Sequence, residues 1–240
     1  MHLWDACREA EDDYPDLAAL AKSPCYGGLD FASMHDLTAF ALVCPIRDKV
    51  YLEVFYWMAE EGLAERAHRD NVPYPQWARD GHIELTEGNR TDFDVVGDKI
   101  VAISKRLNVK QIGFDHYEAG PTINKLQAAG IECLDLRQGF GLTNGAKRFE
   151  DLVASGKLQH DGCPVLRFNV EHASIKRDEM GNIRVVKPTF NPGSKRIDGV
   201  VAAVMATSLM HVAPVKKPSL YSAEGWAAAG RSGRPGVLSL

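Results

Sequence analysis

Two apolar runs, Leu37 to Ile46 (LTAFALVCPI) and Lys49 to Met58 (KVYLEVFYWM), are separated only by Arg47-Asp48. Both are rich in β-branched and aromatic residues, which suit strands, and so short a connection joins strands antiparallel. A third run, Gly27 to Ala32 (GGLDFA), precedes them and is small and apolar up to Asp30. Three strands with short connections form an antiparallel meander, a sheet that every later element must extend or cover.

After Trp57 the texture changes. Glu60 to Asp70 and Tyr74 to Asp80 read as helix, and Ile83 to Leu85 as a short strand. Asp92 to Leu107 carries Phe93, Val96, Ile100, Ile103 and Leu107 at helical spacing, with Thr91 or Asp92 as N-cap. Lys110 to Asp115 is then a strand, Ala119 to Ala129 a helix and Ile131 to Leu136 a strand, an order that implies parallel pairing through right-handed crossovers. Ala146 to Ser155 and residues 164–177 read as helix, and Met180-Gly181-Asn182 carries a hairpin signal between Ile175-Lys176 and Ile183 to Lys187. A last helix from Arg196 to His211 turns an apolar face of Ile197, Val200, Val201, Val204 and Leu209 to the core and stops at Pro214. Before the sheet, Asp5 to Ala21 reads as a helical approach broken by Pro15; after the last helix, residues 214–240 read as a flexible tail. The expected fold class is α/β: a mixed sheet of three antiparallel strands followed by parallel strands, flanked by helices.

Composition narrows the function classes. The chain has 240 residues, 45% hydrophobic and 25% charged, the balance of an ordinary globular domain. No run approaches the roughly 18 uncharged apolar residues of a membrane span, and the acidic N-terminus is unlike a signal peptide, so no membrane role is expected. Five cysteines without a CxxC pair support neither a disulfide framework nor a zinc knuckle and read as reduced, buried thiols. The net charge of −4 argues against a protein that coats DNA, but it is uneven. Seven acids in residues 1–30 (Asp5, Glu9, Glu11, Asp12, Asp13, Asp16, Asp30) face only Arg8 and Lys22. Residues 157–198 hold eight bases (Lys157, Arg167, Lys176, Arg177, Arg184, Lys187, Lys195, Arg196) against five acids.

Three aspartates carry the chemistry. Asp30 ends the first strand, Asp115 ends the first parallel strand, and Asp198 lies in the first turn of the last helix. Strand C-termini and helix N-termini collect on one edge of such sheets, so the three can converge. Singly each has a plainer use: Asp30 as a strand terminator, Asp115 as a partner of His116 or a helix cap, Asp198 as a charge favoured by the helix dipole. Together they repel unless a cation joins them, and oxygen-only ligands suit Mg2+ or Mn2+ rather than zinc.

The motifs around these residues resemble a known family. Tyr26 to Phe40 (YGGLDFASMHDLTAF), containing Asp30 and Asp36, is similar to the first motif of the nuclease domain of tailed-phage terminase large subunits. Gln111 to Asp115 (QIGFD) is similar to its second acidic motif, and Lys195 to Ala206 (KRIDGVVAAVMA) to its third. Intervening pieces match in order: Tyr74 to Trp77 followed by Gly81, Arg137-Gln138-Gly139, and Gly156 to His160. The resemblance runs over about residues 24–212. It implies a ribonuclease H-like fold and a metal-dependent endonuclease that cuts double-stranded phage DNA during genome packaging. It makes Asp30, Asp115 and Asp198 the catalytic ligands of two divalent ions, Mg2+ or Mn2+. Asp36 either supports the site or stabilises a turn. Lys195 and Arg196 are candidates for DNA contact, or a solvated helix start; His116 and His160 stay outside the catalytic set.

The implied partners are double-stranded DNA, an ATPase domain of the same protein, the portal and the small terminase subunit, in the cytoplasm of the infected bacterium. The ATPase signature G-x-x-x-x-G-K-[ST] does not occur; Gly139 to Lys147 spaces its glycines wrongly. The expected division is therefore 1–24 as remnant of an interdomain linker, 25–213 as nuclease and 214–240 as tail. Two rivals stand beside this reading. An actin-like or sugar-kinase-type phosphotransferase needs a glycine-rich loop where Phe31-Ala32-Ser33-Met34 stands. A non-catalytic docking module of the packaging motor would not need three intact aspartates.

Overall fold

The computed structural model describes residues 1–9, 14–31, 37–115, 120–188 and 195–210. In chain order the elements are α1 (His2–Asp5), α2 (Leu17–Leu20), β1 (Cys25–Asp30), β2 (Thr38–Ile46), β3 (Lys49–Ala59), α3 (Leu63–Asp70), α4 (Tyr74–Arg79), β4 (Glu84–Thr86), α5 (Phe93–Arg106) and β5 (Val109–Phe114). There follow α6 (Gly120–Ala128), β6 (Glu132–Asp135), a 3-10 turn (Gly139–Leu142), α7 (Thr143–Ala154), β7 (Leu158–His160), α8 (Pro164–Glu171), β8 (Ser174–Arg177), β9 (Ile183–Val186) and α9 (Asp198–Leu209). Among the described residues no helix is long and apolar enough to cross a membrane.

The main sheet runs β4-β3-β2-β1-β5-β6. β1, β2 and β3 are antiparallel, and β5 and β6 continue the sheet parallel to β1, as the strand order predicts. The sheet is larger than expected on its other side. β4 and β7 both run parallel to β3 and divide its outer edge, β7 against Val50 to Leu52 and β4 against Trp57 to Ala59. β7 is only three residues long, too short for a hydrophobic period to betray it. The predicted hairpin is β8-β9, a separate two-stranded sheet.

Side-chain alternation splits the core. Cys25, Leu29, Phe40, Leu42 and Ile112 meet Val96 and Ile100 of α5 and Ile123 and Leu126 of α6. On the other face Tyr26, Ala39, Ala41, Val43, Leu52, Tyr56 and Met58 meet α9, with Ala146 and Phe149 of α7 and Val165 and Leu166 of α8. α9 lies so close to β1 that a Cβ on Gly28 would strike the Ala202 carbonyl and stand 2.6 Å from the Ala206 nitrogen. Gly145 allows the same approach from α7: a Cβ there would lie 2.6 Å from the Val204 carbonyl. Every residue of α9 except half-buried Ser208 is therefore buried. The one-sided helix of the sequence reading is instead covered all round, because α7 and α8 lie over its outer side.

Three further expectations change. Among the described residues the approach helix from Asp5 to Ala21 is reduced to α1 and α2, with Pro15 between them. Residues 164–177 are helical only to Glu171 and then enter β8, the first arm of the hairpin. Cys25 and Cys44 are joined in a disulfide instead of being reduced; they lie at the end of the β1–β2 ladder with Cα atoms 4.4 Å apart. Strand register brings them together, which their 19-residue separation concealed. Cys7 and Cys163 are buried free thiols, and Cys133 is half-buried. The predicted stop at Pro214 and the tail lie outside the described residues.

A methyl group at position 28 has no space, because its neighbours are helix backbone. Gly28→Ala is expected to cost about 1–3 kcal/mol through overpacking, read as a lower denaturation midpoint. An unchanged midpoint would contradict the close packing of α9 on β1.

Candidate active site

Alternation along β1 turns Tyr26, Gly28 and Asp30 to one face, the face on which α9 lies. Asp30 is the last residue of β1, and Leu29 pairs with Phe114 in the parallel β1–β5 ladder, so Asp115 follows on the neighbouring strand at the same edge. Gly28 meets Ala202, and one helical turn earlier α9 begins with Asp198. The three aspartates singled out in the sequence thus collect where β1 and β5 end and α9 begins.

Their electrostatics agree with this convergence. Asp30 and Asp198 are each 8% exposed, whereas Asp115 is half-buried. The Asp30 carboxyl is pushed well above its ordinary value of 3.8, first by burial and next by the negative charge of Asp198, with Asp115 adding to it. Two groups pull the other way: Gln138 Nε2 donates to Asp30 Oδ1 at 2.9 Å, and Lys187 supplies a positive charge. Among the described residues no three His, Cys, Asp or Glu side chains already form a group that could hold a metal ion. The donor chemistry nevertheless fits a hard divalent cation: all-oxygen ligands, one of them buried and pressed by a second carboxylate toward its protonated form.

Sequence reasoning missed both Gln138, which bonds Asp30, and Lys187. Gln138 stands in the quoted Arg137-Gln138-Gly139 piece, so a signal existed, but only the fold brings it to Asp30. Lys187 reaches the site because β9 is tied to α7. Thr143 Oγ1 accepts from the Ile183 N–H at 3.2 Å and lies 3.0 Å from the Ile183 carbonyl, while the Arg184 guanidinium covers the Phe140 ring at 5.0 Å.

The expectation that Arg196 contacts DNA is corrected. Its side chain is 4% exposed, and Nη2 pairs with Asp70 Oδ2 at 2.8 Å. Asp70 also accepts from Arg69 Nε at 2.7 Å and from the Tyr74 hydroxyl at 3.1 Å. Burial alone would raise its carboxyl, yet Arg69 and Arg196 hold it below 3.8. A basic pair before a helix looks solvated in sequence; only the packing of α3 and α4 shows that the second member is enclosed. Lys195 is half-buried just ahead of α9. His160 is structural: its ring stacks on Trp4 with centroids 4.1 Å apart, Nδ1 accepts the Gly162 N–H at 3.0 Å, and Nε2 faces the Trp4 carbonyl at 3.0 Å. Asp36 and His116 lie outside the described residues.

Together the mixed sheet, its strand order and the carboxylates at its edge define a ribonuclease H-like domain of the terminase nuclease type. The family model described as "Terminase large subunit, endonuclease domain" matches residues 12–213, and the chain belongs to that family. It is 27% identical over 208 residues to the terminase large subunit of Enterobacteria phage HK97, an alignment covering 85% of this chain and 39% of that protein. Protein YmfN of Escherichia coli K12 is 24% identical over 213 residues, covering 85% and 46%. The chain thus spans less than half the length of these curated relatives. The crystal structure of the HK97 large terminase superposes with a TM-score of 0.75 at 26% identity, covering 87% of this chain and 42% of that one. The nuclease of thermophilic phage G20c, crystallised with bound magnesium, shares the fold at a TM-score of 0.51 and 14% identity, covering 79% and 82%.

Because the folded Asp30 carboxyl sits above its unfolded value, the native state binds the extra proton between those two values, and stability falls as pH rises through that window. Asp30→Asn removes the buried charge. Without added metal it is expected to melt higher than the parent at pH 7, with the gap closing toward pH 3. A variant that melts lower at pH 7 would contradict the repulsion described here.

Proposed function

We propose that this domain is a metal-dependent endonuclease that hydrolyses double-stranded DNA during phage genome packaging, with Asp30, Asp115 and Asp198 as the ligands of two divalent ions. The observation that carries the reading is the convergence of these carboxylates at one sheet edge, with Asp30 buried beside the charge of Asp198. Membership of the terminase endonuclease family supports it, as does the magnesium bound by the G20c nuclease. Bound Mg2+ or Mn2+ would activate water and stabilise the leaving oxygen in phosphodiester hydrolysis.

The chain's own residues then do the following. Gln138 keeps Asp30 Oδ1 hydrogen-bonded, so the carboxylate is held in one orientation. Lys187 offsets part of the negative charge beside Asp30, and Lys195 offers a cation to a DNA phosphate. The exposed Lys176 of β8 adds to the positive charge on that side, and Arg177 beside it pairs with Glu150 at 3.5 Å. On this reading Asp36 is at most a supporting group. On the same reading residues 1–24 would be a linker to an ATPase domain and 25–213 the nuclease. The portal and the small terminase subunit are partners in the host cytoplasm.

Plasmid nicking tests the proposal. Cleavage is expected with Mg2+ or Mn2+, none with EDTA, and a loss of at least about 100-fold in Asp115→Ala, beyond what loss of a merely supporting group costs. Cleavage by the variant equal to the parent would remove Asp115 from the site. DNA held by phosphate contacts also predicts rates at low DNA concentration that drop steeply from about 50 to 200 mM salt. A flat response would exclude the basic hairpin as the DNA track.

A further inference from the structure

α9 starts without a cap of its own: Ile197 occupies the N-cap position and has no side chain able to accept the first helical N–H groups. The missing acceptor comes from another helix. Asn169 of α8, completely buried, accepts the Gly199 N–H on Oδ1 at 2.9 Å and donates from Nδ2 to the Arg196 carbonyl at 3.1 Å. The same Oδ1 accepts the Tyr56 hydroxyl of β3 at 3.0 Å. One amide thus satisfies the backbone on both sides of Asp198 and ties it to the sheet. Gly199 is needed for this, since a Cβ there would strike the Tyr56 hydroxyl and lie 2.6 Å from Asn169 Oδ1. The buried Arg196–Asp70 pair anchors the residue two places before Asp198 to α3.

We infer that Asn169 is a positioning residue for Asp198: a cap supplied by α8 that fixes where the carboxylate stands, assisted by Tyr56 and by Asp70. The inference rests on the reading of Asp198 as a metal ligand. Asn169 holds the backbone from which Asp198 projects without being one of the proposed ligands. Its loss would leave the Gly199 N–H and the Arg196 carbonyl buried without their partner, and the first turn of α9 would no longer be held in register with β1. Supporting groups around a metal site are worth about 10–100-fold in metal affinity or activity.

Mn2+ is titrated into the 240-residue protein, and free Mn2+ is read by electron paramagnetic resonance. Asn169→Ala is expected to weaken Mn2+ binding about tenfold. The Mn2+ concentration for half-maximal plasmid cleavage should rise by the same factor, with KM for DNA unchanged. Tyr56→Phe, which removes one hydroxyl, is expected to weaken binding less and in the same direction. A folded Asn169→Ala protein, judged by circular dichroism, that binds Mn2+ like the parent overturns the inference. If Asn169→Ala fails to fold, Tyr56→Phe decides, and unchanged Mn2+ affinity there overturns it. Asp198→Asn separates the two levels. Loss of Mn2+ binding in that variant, with parental binding in Asn169→Ala, defeats the positioning role alone. A parent protein that binds no Mn2+ defeats the metal-site reading and the inference with it.

Discussion

The close seating of α9 on β1 sets the geometry of everything else. It depends on Gly28, where any side chain would meet helix backbone, and on Gly145, which lets α7 close over the opposite side. Dispersion and apolar burial favour this contact, but they constrain distance more than direction. Direction comes from the polar groups at the start of the helix: Asn169 on the backbone around Asp198 and Asp70 on Arg196. An apolar helix packed flush against a strand therefore begins with a carboxylate placed beside the carboxylate at that strand's end.

That arrangement carries an electrostatic cost. Asp30 is buried, close to the charges of Asp198 and Asp115, and its carboxyl is driven upward. Gln138 and Lys187 offset part of this. A fold optimised for stability alone would not bury a carboxylate beside another; a fold that binds divalent cations gains from doing so. The polar elements around the site follow the same division. Those enclosed by packing, such as Arg196 with Asp70, hold backbone in place, while Lys176 and Arg177 on the hairpin remain exposed.

Much of this was legible in the sequence. The apolar runs on either side of Arg47-Asp48 specify the β2–β3 hairpin, and the alternation of strand and helix from Asp92 to Leu136 specifies parallel extension beyond β1. Asp30, Asp115 and Asp198 could be picked out because each stands at the end or start of a periodic segment. What could not be read depends on contacts between distant segments. β7 is three residues long and exists because β3 offers it an edge on one side and the segment at Arg8 bridges His160 on the other. Cys25 and Cys44 meet through strand register, and Arg196 is enclosed because α3 and α4 fold over it. Gln138 and Asn169 are unremarkable amides until the chain brings them to Asp30 and to the start of α9. Local pattern locates elements and their punctuation; it does not locate which polar side chain satisfies a distant backbone.

The central claim is that the carboxylates at this sheet edge share divalent cations. Anomalous scattering from crystals of the protein soaked in Mn2+ tests it most directly. Density is expected among Asp30, Asp115 and Asp198, and it should disappear in crystals of Asp30→Asn. A fully soaked crystal with no anomalous peak at that edge, or with Mn2+ bound only elsewhere, would contradict the claim.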